Sequence, residues 1–414
     1  MTIAIISLLS LVVAIAIGFW KNVNVGLIAL VFSLLVGFYL GGIPIDTIIS
    51  YWPLKLFFTT FGVTLLFGIT KLNGTLGKVS NMMIYQSHGK TILIIVVFYF
   101  LALILASIGP GNISTGALLL PIGLALAYQA KIPIALMSII IINGAIAGGL
   151  SPIAPNGIVA LQLAAENGVG DLGFRIYLTH VFSMTCLSIF LFFLLGGAKL
   201  KGNRIDIEKP EKLNKQQIIT LICILLLIVW VMGFGVNVGF ASIVFATFLL
   251  IIKSADPHQA IHSVAWTAIT LICGTAVLIS VISELGGVAL LTTFLANLMS
   301  KGTAIPIMAL LSGVMSMFSS AVGVVMPTLI PTAVELADKM NNVVSPAVIT
   351  IAIAIGSHFV TISPFSTMGA LAIASAPEVV DKKKLFNQLF SYAFVSLAFI
   401  AIFLWILGLV GILV

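Results

Sequence analysis

Three short stretches place polar and helix-breaking residues where an otherwise apolar chain has no packing need for them. The first, Gly149-Leu150-Ser151-Pro152-Ile153-Ala154-Pro155-Asn156-Gly157, falls late in an apolar run over 132–163. The second, Gly356-Ser357-His358 with Thr361, Ser363-Pro364, Ser366-Thr367 and Gly369, falls late in a run over 344–375. The third, Gly109-Pro110-Gly111-Asn112, splits two apolar runs, 91–108 and 113–130. Each of the two long runs exceeds the roughly 20 residues that one straight crossing of a bilayer needs. Their prolines and glycines would break a helix, and broken backbone at membrane depth is tolerated only where it is buried in protein or lines a wet cavity. The chemistry this points to is binding rather than bond-making. Helix N-termini and free N–H groups favour anions, whereas unwound carbonyls and hydroxyl oxygens favour a small cation such as sodium. No Lys or Arg lies inside these segments, so an anion would be held by dipoles, hydroxyls and a co-bound cation.

Individual residues carry different weight. A Ser or Thr in a membrane helix often only hydrogen-bonds its own backbone. Asn112 and Asn156 point more firmly to function, because an amide in the bilayer needs a partner and both sit at expected breaks. Asn143 lies mid-helix, where it either packs between helices or joins the site. His358 reads as the only histidine inside a membrane segment; it binds a carboxylate, relays a proton or packs as a neutral group. Glu335 and Asp338 follow an apolar arm and are expected at the outer surface, and Glu284 at an interface.

The elements that must position these residues occur twice, about 212 residues apart. Asn24-Val25-Gly26 returns as Asn237-Val238-Gly239, Gly62 as Gly274, Lys71-Leu72-Asn73-Gly74 as Glu284-Leu285-Gly286-Gly287, and Ser151-Pro152 with Gly157 as Ser363-Pro364 with Gly369. A duplicated membrane unit interrupted by Gly and Pro in matching places is the layout of a secondary transporter. Composition agrees: the 414 residues are 61% hydrophobic and 7% charged, too apolar for a water-soluble surface. Charge-free runs such as 2–20 and 91–108 are long enough to lie in a bilayer. The first run has no basic residue ahead of it and reads as a retained helix rather than a signal peptide. Cys186, Cys223 and Cys273 sit in apolar runs without metal-ligand spacing and read as packing residues.

The expected fold is an all-α polytopic membrane protein of two inverted repeats. Each repeat has five transmembrane helices, a re-entrant helical hairpin and one broken helix. Repeat 1 spans 1–198, with crossings over 2–19, 24–42, 54–70, 132–163 and 173–198 and a hairpin over about 91–130. A cytoplasmic linker covers 199–216. Repeat 2 spans 217–414, with crossings over 217–234, 237–253, 262–283, 344–375 and 386–413 and a hairpin over about 304–337. The apolar pairs could instead be two full spans each; the Gly-Pro-Gly-Asn tip favours a turn beside a polar site. All but four of the 19 basic residues, Lys55, Arg175, Lys301 and Lys339, then fall on one side. The positive-inside rule makes that side cytoplasmic and puts both termini outside the inner membrane.

At the breaks and hairpins the chain resembles the ion transporter superfamily, which includes the divalent anion/sodium symporters and arsenite permeases, and most of all the MatC-type malonate and dicarboxylate carriers. The residues behind this are Gly109-Pro110-Gly111-Asn112-Ile113-Ser114-Thr115, Pro121, the stretch Gly149–Gly157, and Ser363-Pro364-Phe365-Ser366-Thr367. The resemblance implies a homodimeric, elevator-type carrier of dicarboxylate and sodium, in which the hairpins and broken helices slide against a scaffold. Divalent anion symporters carry Ser-Asn-Thr at each hairpin tip; here the first tip keeps only the Asn, and the second, Ser319-Ser320-Ala321-Val322-Gly323, has none. That departure leaves sodium and protons both open as coupling ion.

Residues and resemblance together give a substrate set of Asn112, Ser114, Thr115, Ser151, Asn156, His358, Ser363, Ser366 and Thr367. The cation set is Asn112, Gly149, Ser151, Asn156, Ser320, Thr361 and Ser363. The expected activity is symport of a small organic dianion such as malonate or a C4-dicarboxylate, with no cofactor beyond the coupling ion, no resident metal and no nucleic-acid partner. An inorganic-anion carrier or a cation/proton antiporter is the alternative, although neither broken helix holds the Asp or Glu an antiporter would bury. A membrane-embedded enzyme would have only His358 with Ser357 or Ser363 as a kernel and no orienting carboxylate. A passive channel would not require paired breaks.

Overall fold

The computed structural model describes residues 2–21, 23–200 and 207–411, and among them there are helices and loops but no strand. Lys201 and Arg204 of the expected linker lie outside the described residues, as does the end of the last expected crossing. The first half runs α1 (Thr2–Lys21), α2 (Val25–Leu40), α3 (Ile45–Ser50), α4 (Leu54–Leu72), α5 (Thr75–Tyr85), α6 (Thr91–Ser107), α7 (Gly111–Gln129), α8 (Ile134–Gly149), α9 (Pro155–Glu166) and α10 (Gly173–Leu194). The second half runs α11 (Lys215–Phe234), α12 (Val238–Ile251), α13 (Pro257–His262), α14 (Trp266–Glu284), α15 (Gly287–Leu298), α16 (Ala304–Phe318), α17 (Ala321–Lys339), α18 (Pro346–Gly356), α19 (Thr367–Ser375) and α20 (Lys382–Leu409). Each helix of the first half has a counterpart of similar placement ten helices later. The short helices α3, α5, α13 and α15 were not separated out by the sequence pattern.

The matching residues do matching local work. Asn24 Oδ1 accepts from Gly26 N and Asn237 Oδ1 from Gly239 N, so both amides cap a helix start. Gly74 and Gly286 turn the chain into α5 and α15 with φ of 76° and 79°, a left-handed backbone that only glycine adopts without strain. The second half of α2, Ser33–Leu40, is a π-helix. One more residue separates Asn24 from the helix start at Pro44 than separates Asn237 from Asp256, and a single inserted residue is what converts α to π geometry.

The halves are packed through each other. Gly26 of α2 lies against Gly274 of α14, and Gly62 of α4 lies against Gly239 of α12; a Cβ on any of the four would run into facing backbone. Small residues let membrane helices approach this closely, and the gain is van der Waals packing that lipid cannot supply. Two bodies result. The large core is built mainly on α6–α10 and α16–α20, with Leu56 of α4 and Ile272 of α14 joining it, and smaller cores join α1–α4 to α11–α14, with Ile153 of the first break and Ile158 of α9 reaching in. Among its described residues the linker is tied by Lys78 of α5, which donates to the Glu211 carboxylate, and by Gln216, which donates to the Lys253 carbonyl. The Lys78 hydrogen bond and charge hold the Glu211 carboxyl below the usual carboxylate range near 4.5. The tether is therefore complete above that range and lost as pH falls below it.

Among the described residues, six helical stretches are long and apolar enough to cross a membrane, Leu54–Leu72, Gly111–Gln129, Gly173–Leu194, Pro257–Glu284, Ala321–Lys339 and Lys382–Leu409. The outward faces of α2, α10 and α11 carry exposed Leu, Ile, Val and Phe, as a lipid-facing surface does. The chain is a multi-pass membrane protein. One expectation is corrected here: His358 is not the only histidine in a membrane segment, because the span Gly173–Leu194 contains His180, fully buried.

Candidate functional site

The first break follows directly from its sequence. α8 ends at Gly149, and Pro152 and Pro155 lack the N–H that would carry the helix on. Pro155 instead opens α9, where its fixed φ suits the first helical position. Gly157 makes the tight return possible, since a Cβ there would strike the Ser151 carbonyl; Gly369 stands in the same relation to Ser363 at the second break. No side chain caps α9 or α7, so their first N–H groups are left to a ligand or water. Ser320 and Ser366 cap α17 and α19, accepting from Gly323 N and Gly369 N.

These four helix starts meet at one cavity of about 450 Å³. Pro110, Gly111, Asn112, Ile113 and Ser114 bring the first tip to it, and Pro155 and Asn156 the first break. Ser319, Ser320, Ala321 and Val322 bring the second tip; His358, Thr361, Phe365, Ser366 and Thr367 bring the second break. Residues 109–112 are all buried, so the first tip turns inside the protein rather than in an exposed loop. The facing wall comes from the other body: Thr60 and Thr64 of α4, Ala265, and Thr267, Ala268, Leu271 and Ile272 of α14. Among the described residues no Lys, Arg, Asp or Glu lines the cavity, and His358 is the one ionisable group that does.

A hydrogen-bond chain joins three segments on the wall. Asn156 Nδ2 donates to Asn112 Oδ1 at 3.4 Å and lies 3.1 Å from His358 Nε2. On its far side the imidazole Nδ1 sits 2.7 Å from the Ala354 carbonyl, which can only accept. The ring proton is therefore assigned to Nδ1, and Nε2 accepts from Asn156. Behind His358 lies His180, with ring centroids 5.5 Å apart. His180 Nε2 donates to the Ile146 carbonyl at 3.0 Å, and its Nδ1 is buried without a partner.

Of the residues expected in the site, Asn112, Ser114, Asn156, Ser320, His358, Thr361, Ser366 and Thr367 stand on the cavity wall. Four stand behind it. Ser151 Oγ accepts from Ile153 N and Ser363 Oγ from Phe365 N, each closing its own turn. Gly149 backs directly onto Asn112 and Asn156. Thr115 is buried with its Oγ1 unpartnered. Asn143 donates to Ser188 Oγ at 3.2 Å and pins α8 to α10. The sequence reading missed Thr60, Thr64, Thr267, Ser316 and Ser319. The spacing of Thr60 and Thr64 on one face of an apolar helix was the available signal.

Residues 1–149 match the family model for the N-terminus of the dicarboxylate carrier protein MatC, and residues 236–413 match the citrate transporter family model. The crystal structure of the Alcanivorax borkumensis YdaH transporter is similar over 88% of this chain and 86% of its own, with a TM-score of 0.58 at 12% identity. At that identity the likeness speaks for the fold alone. No curated protein matches the sequence. An all-helical transporter fold and two carrier families define a secondary carrier rather than an enzyme. The first part of the chain is thus similar to a MatC-type dicarboxylate carrier and the later part to a citrate transporter, and both likenesses are to carriers.

Proposed function

We propose that this carrier moves a small organic dianion, malonate or a C4-dicarboxylate, together with sodium or protons. The observation that carries this reading is the meeting of four helix N-termini at a cavity with no fixed positive charge. Each N-terminus contributes partial positive charge and free or displaceable N–H groups, which suits carboxylates. An anion held by dipoles and hydroxyls, without an ion pair, is also one that can be released on the far side. A co-transported cation is cargo here; Asn112, Asn156, Ser320 and Thr361 are the oxygens at hand for sodium. The match to a dicarboxylate carrier model in the first half and a citrate transporter model in the second agrees with a carboxylate cargo.

Movement follows from the two-body packing. The cavity lies between the body of α6–α10 and α16–α20 and the body of α1–α4 and α11–α14. Sliding of the first against the second would carry the site across, with α5 and α15 as the connecting arms. The repeats are inverted, the linker side is cytoplasmic, the termini lie outside the inner membrane, and the second body supplies a homodimer contact in this reading. Counterflow tests the cargo without any gradient. Vesicles preloaded with malonate should accumulate labelled malonate, and succinate outside should compete. Absence of exchange for malonate, succinate and citrate alike would count against an organic dianion.

A further inference from the structure

We propose that one end of α16, α18 and α20 forms a binding site for a single anionic phospholipid, with its phosphate at Lys301 and an acyl chain beside Trp405. A crevice of about 640 Å³ opens there, and it shares no residue with the transport cavity. Its lining changes character with depth. Lys301 and Ser345 stand just ahead of α16 and α18, with Asn342 beside them, whereas Ile305 and Val348 lie within the first turns of those helices. Trp405, near the end of the spanning helix α20, closes the apolar part and is itself exposed. A tryptophan near the end of a membrane helix marks headgroup depth. A lysine at that level keeps its charge in the polar layer while its stem lies along apolar surface.

The charge calls for an anion. Among the described residues Lys301 has no carboxylate partner. The two acids at the end of α17 are already engaged, Glu335 by Lys339 at 2.9 Å and Asp338 by the Asn342 amide at 3.3 Å. Ser345 Oγ accepts from Val348 N, which leaves its O–H to donate to a phosphate oxygen. A free anion would satisfy this rim and leave the apolar part of the crevice bare. A phospholipid satisfies both with one molecule.

The other repeat shows what this position requires. At the matching end of α10, Gly197 is buried, and Leu200 and Ile207 of the linker lie on the large core. In the second repeat Leu409 takes the place of Gly197, and it stands exposed on the crevice. The apolar cover that the linker gives the core after α10 is what an acyl chain would give after α20. All three helix ends belong to the body of α6–α10 and α16–α20, so a lipid here braces that body, whatever the cargo is.

Native mass spectrometry of the delipidated protein, titrated with phosphatidylglycerol or phosphatidylcholine, reads the site. Wild type is expected to retain one phosphatidylglycerol in preference to phosphatidylcholine, and to melt later with it bound. Lys301→Gln should weaken retention about fivefold, the effect of one lysine at a membrane surface. Lys55→Gln, at an exposed position outside the crevice, should leave it unchanged. Gly302 lines the crevice with open space where a Cβ would stand. Gly302→Phe should therefore lose the retained lipid and keep the melting temperature of the lipid-free protein. Retention equal to wild type in Lys301→Gln or Gly302→Phe, or no preference for phosphatidylglycerol, would overturn the site. Retention seen only after deletion of residues 412–414 would give the crevice to that segment and overturn it as well.

Discussion

Asn156 is the residue on which most of the site's polar geometry converges. Its amide reaches Asn112 and His358 at once, so Asn156→Ala leaves an acceptor on each without its donor. Buried polar groups left unpaired cost about 1–3 kcal/mol. The variant should melt earlier in detergent, and its uptake should fall more than its expression. Thr60→Val asks the opposite question. Its hydroxyl is buried without a partner, so removing it should leave the melting temperature nearly unchanged and alter KM for the cargo. An unchanged KM would take Thr60 out of the site. The contrast explains what the sequence made legible. Asn112 and Asn156 stand out because an amide at a Gly/Pro break has no local partner. Thr60 and Thr64 do not, because a threonine in an apolar helix is usually satisfied by its own backbone, as Thr64 is by the Thr60 carbonyl. His180 escaped notice for a simpler reason: it is one of several polar residues scattered along the apolar run over 173–198, with no Gly/Pro break to mark it, and only the fold brings it to His358.

Among the elements, the glycine crossings make the sharpest prediction. Gly26→Leu and Gly239→Leu place side chains where facing backbone already stands, and overpacking of that kind costs about 1–3 kcal/mol or more. Gly233→Ala, in α11 with open space around it, should be neutral or stabilise by up to about 1 kcal/mol. Thermal unfolding in detergent separates the two classes; equal melting temperatures would mean these crossings do not hold the first half of the chain to the second. The break positions were readable because Pro and Gly act locally. Their exact partners were not, since packing α2 on α14 and α4 on α12 is a long-range choice that no window of sequence contains. The π-helix of α2 was hidden because one extra residue leaves the apolar pattern of Ser33–Leu40 intact.

At the scale of the whole molecule, charge and repeat order lead to a topology. A membrane-impermeant maleimide applied to intact cells should label a cysteine at position 301 or 339 and spare one at 209 or 383, in a background lacking Cys186, Cys223 and Cys273. The reverse pattern would turn the protein over in the membrane. In the proposed function the cavity between the two bodies is a site carried by relative sliding, and its wall of dipoles without fixed charge is a site for an anion. Uptake of radiolabelled malonate into proteoliposomes tests that most directly, with an inward sodium gradient, an inward proton gradient or neither, and with Asn156→Ala alongside. Uptake driven by a cation gradient and lost in the variant is the expected result. Inert behaviour toward malonate, succinate and citrate under every gradient would contradict the carboxylate cargo.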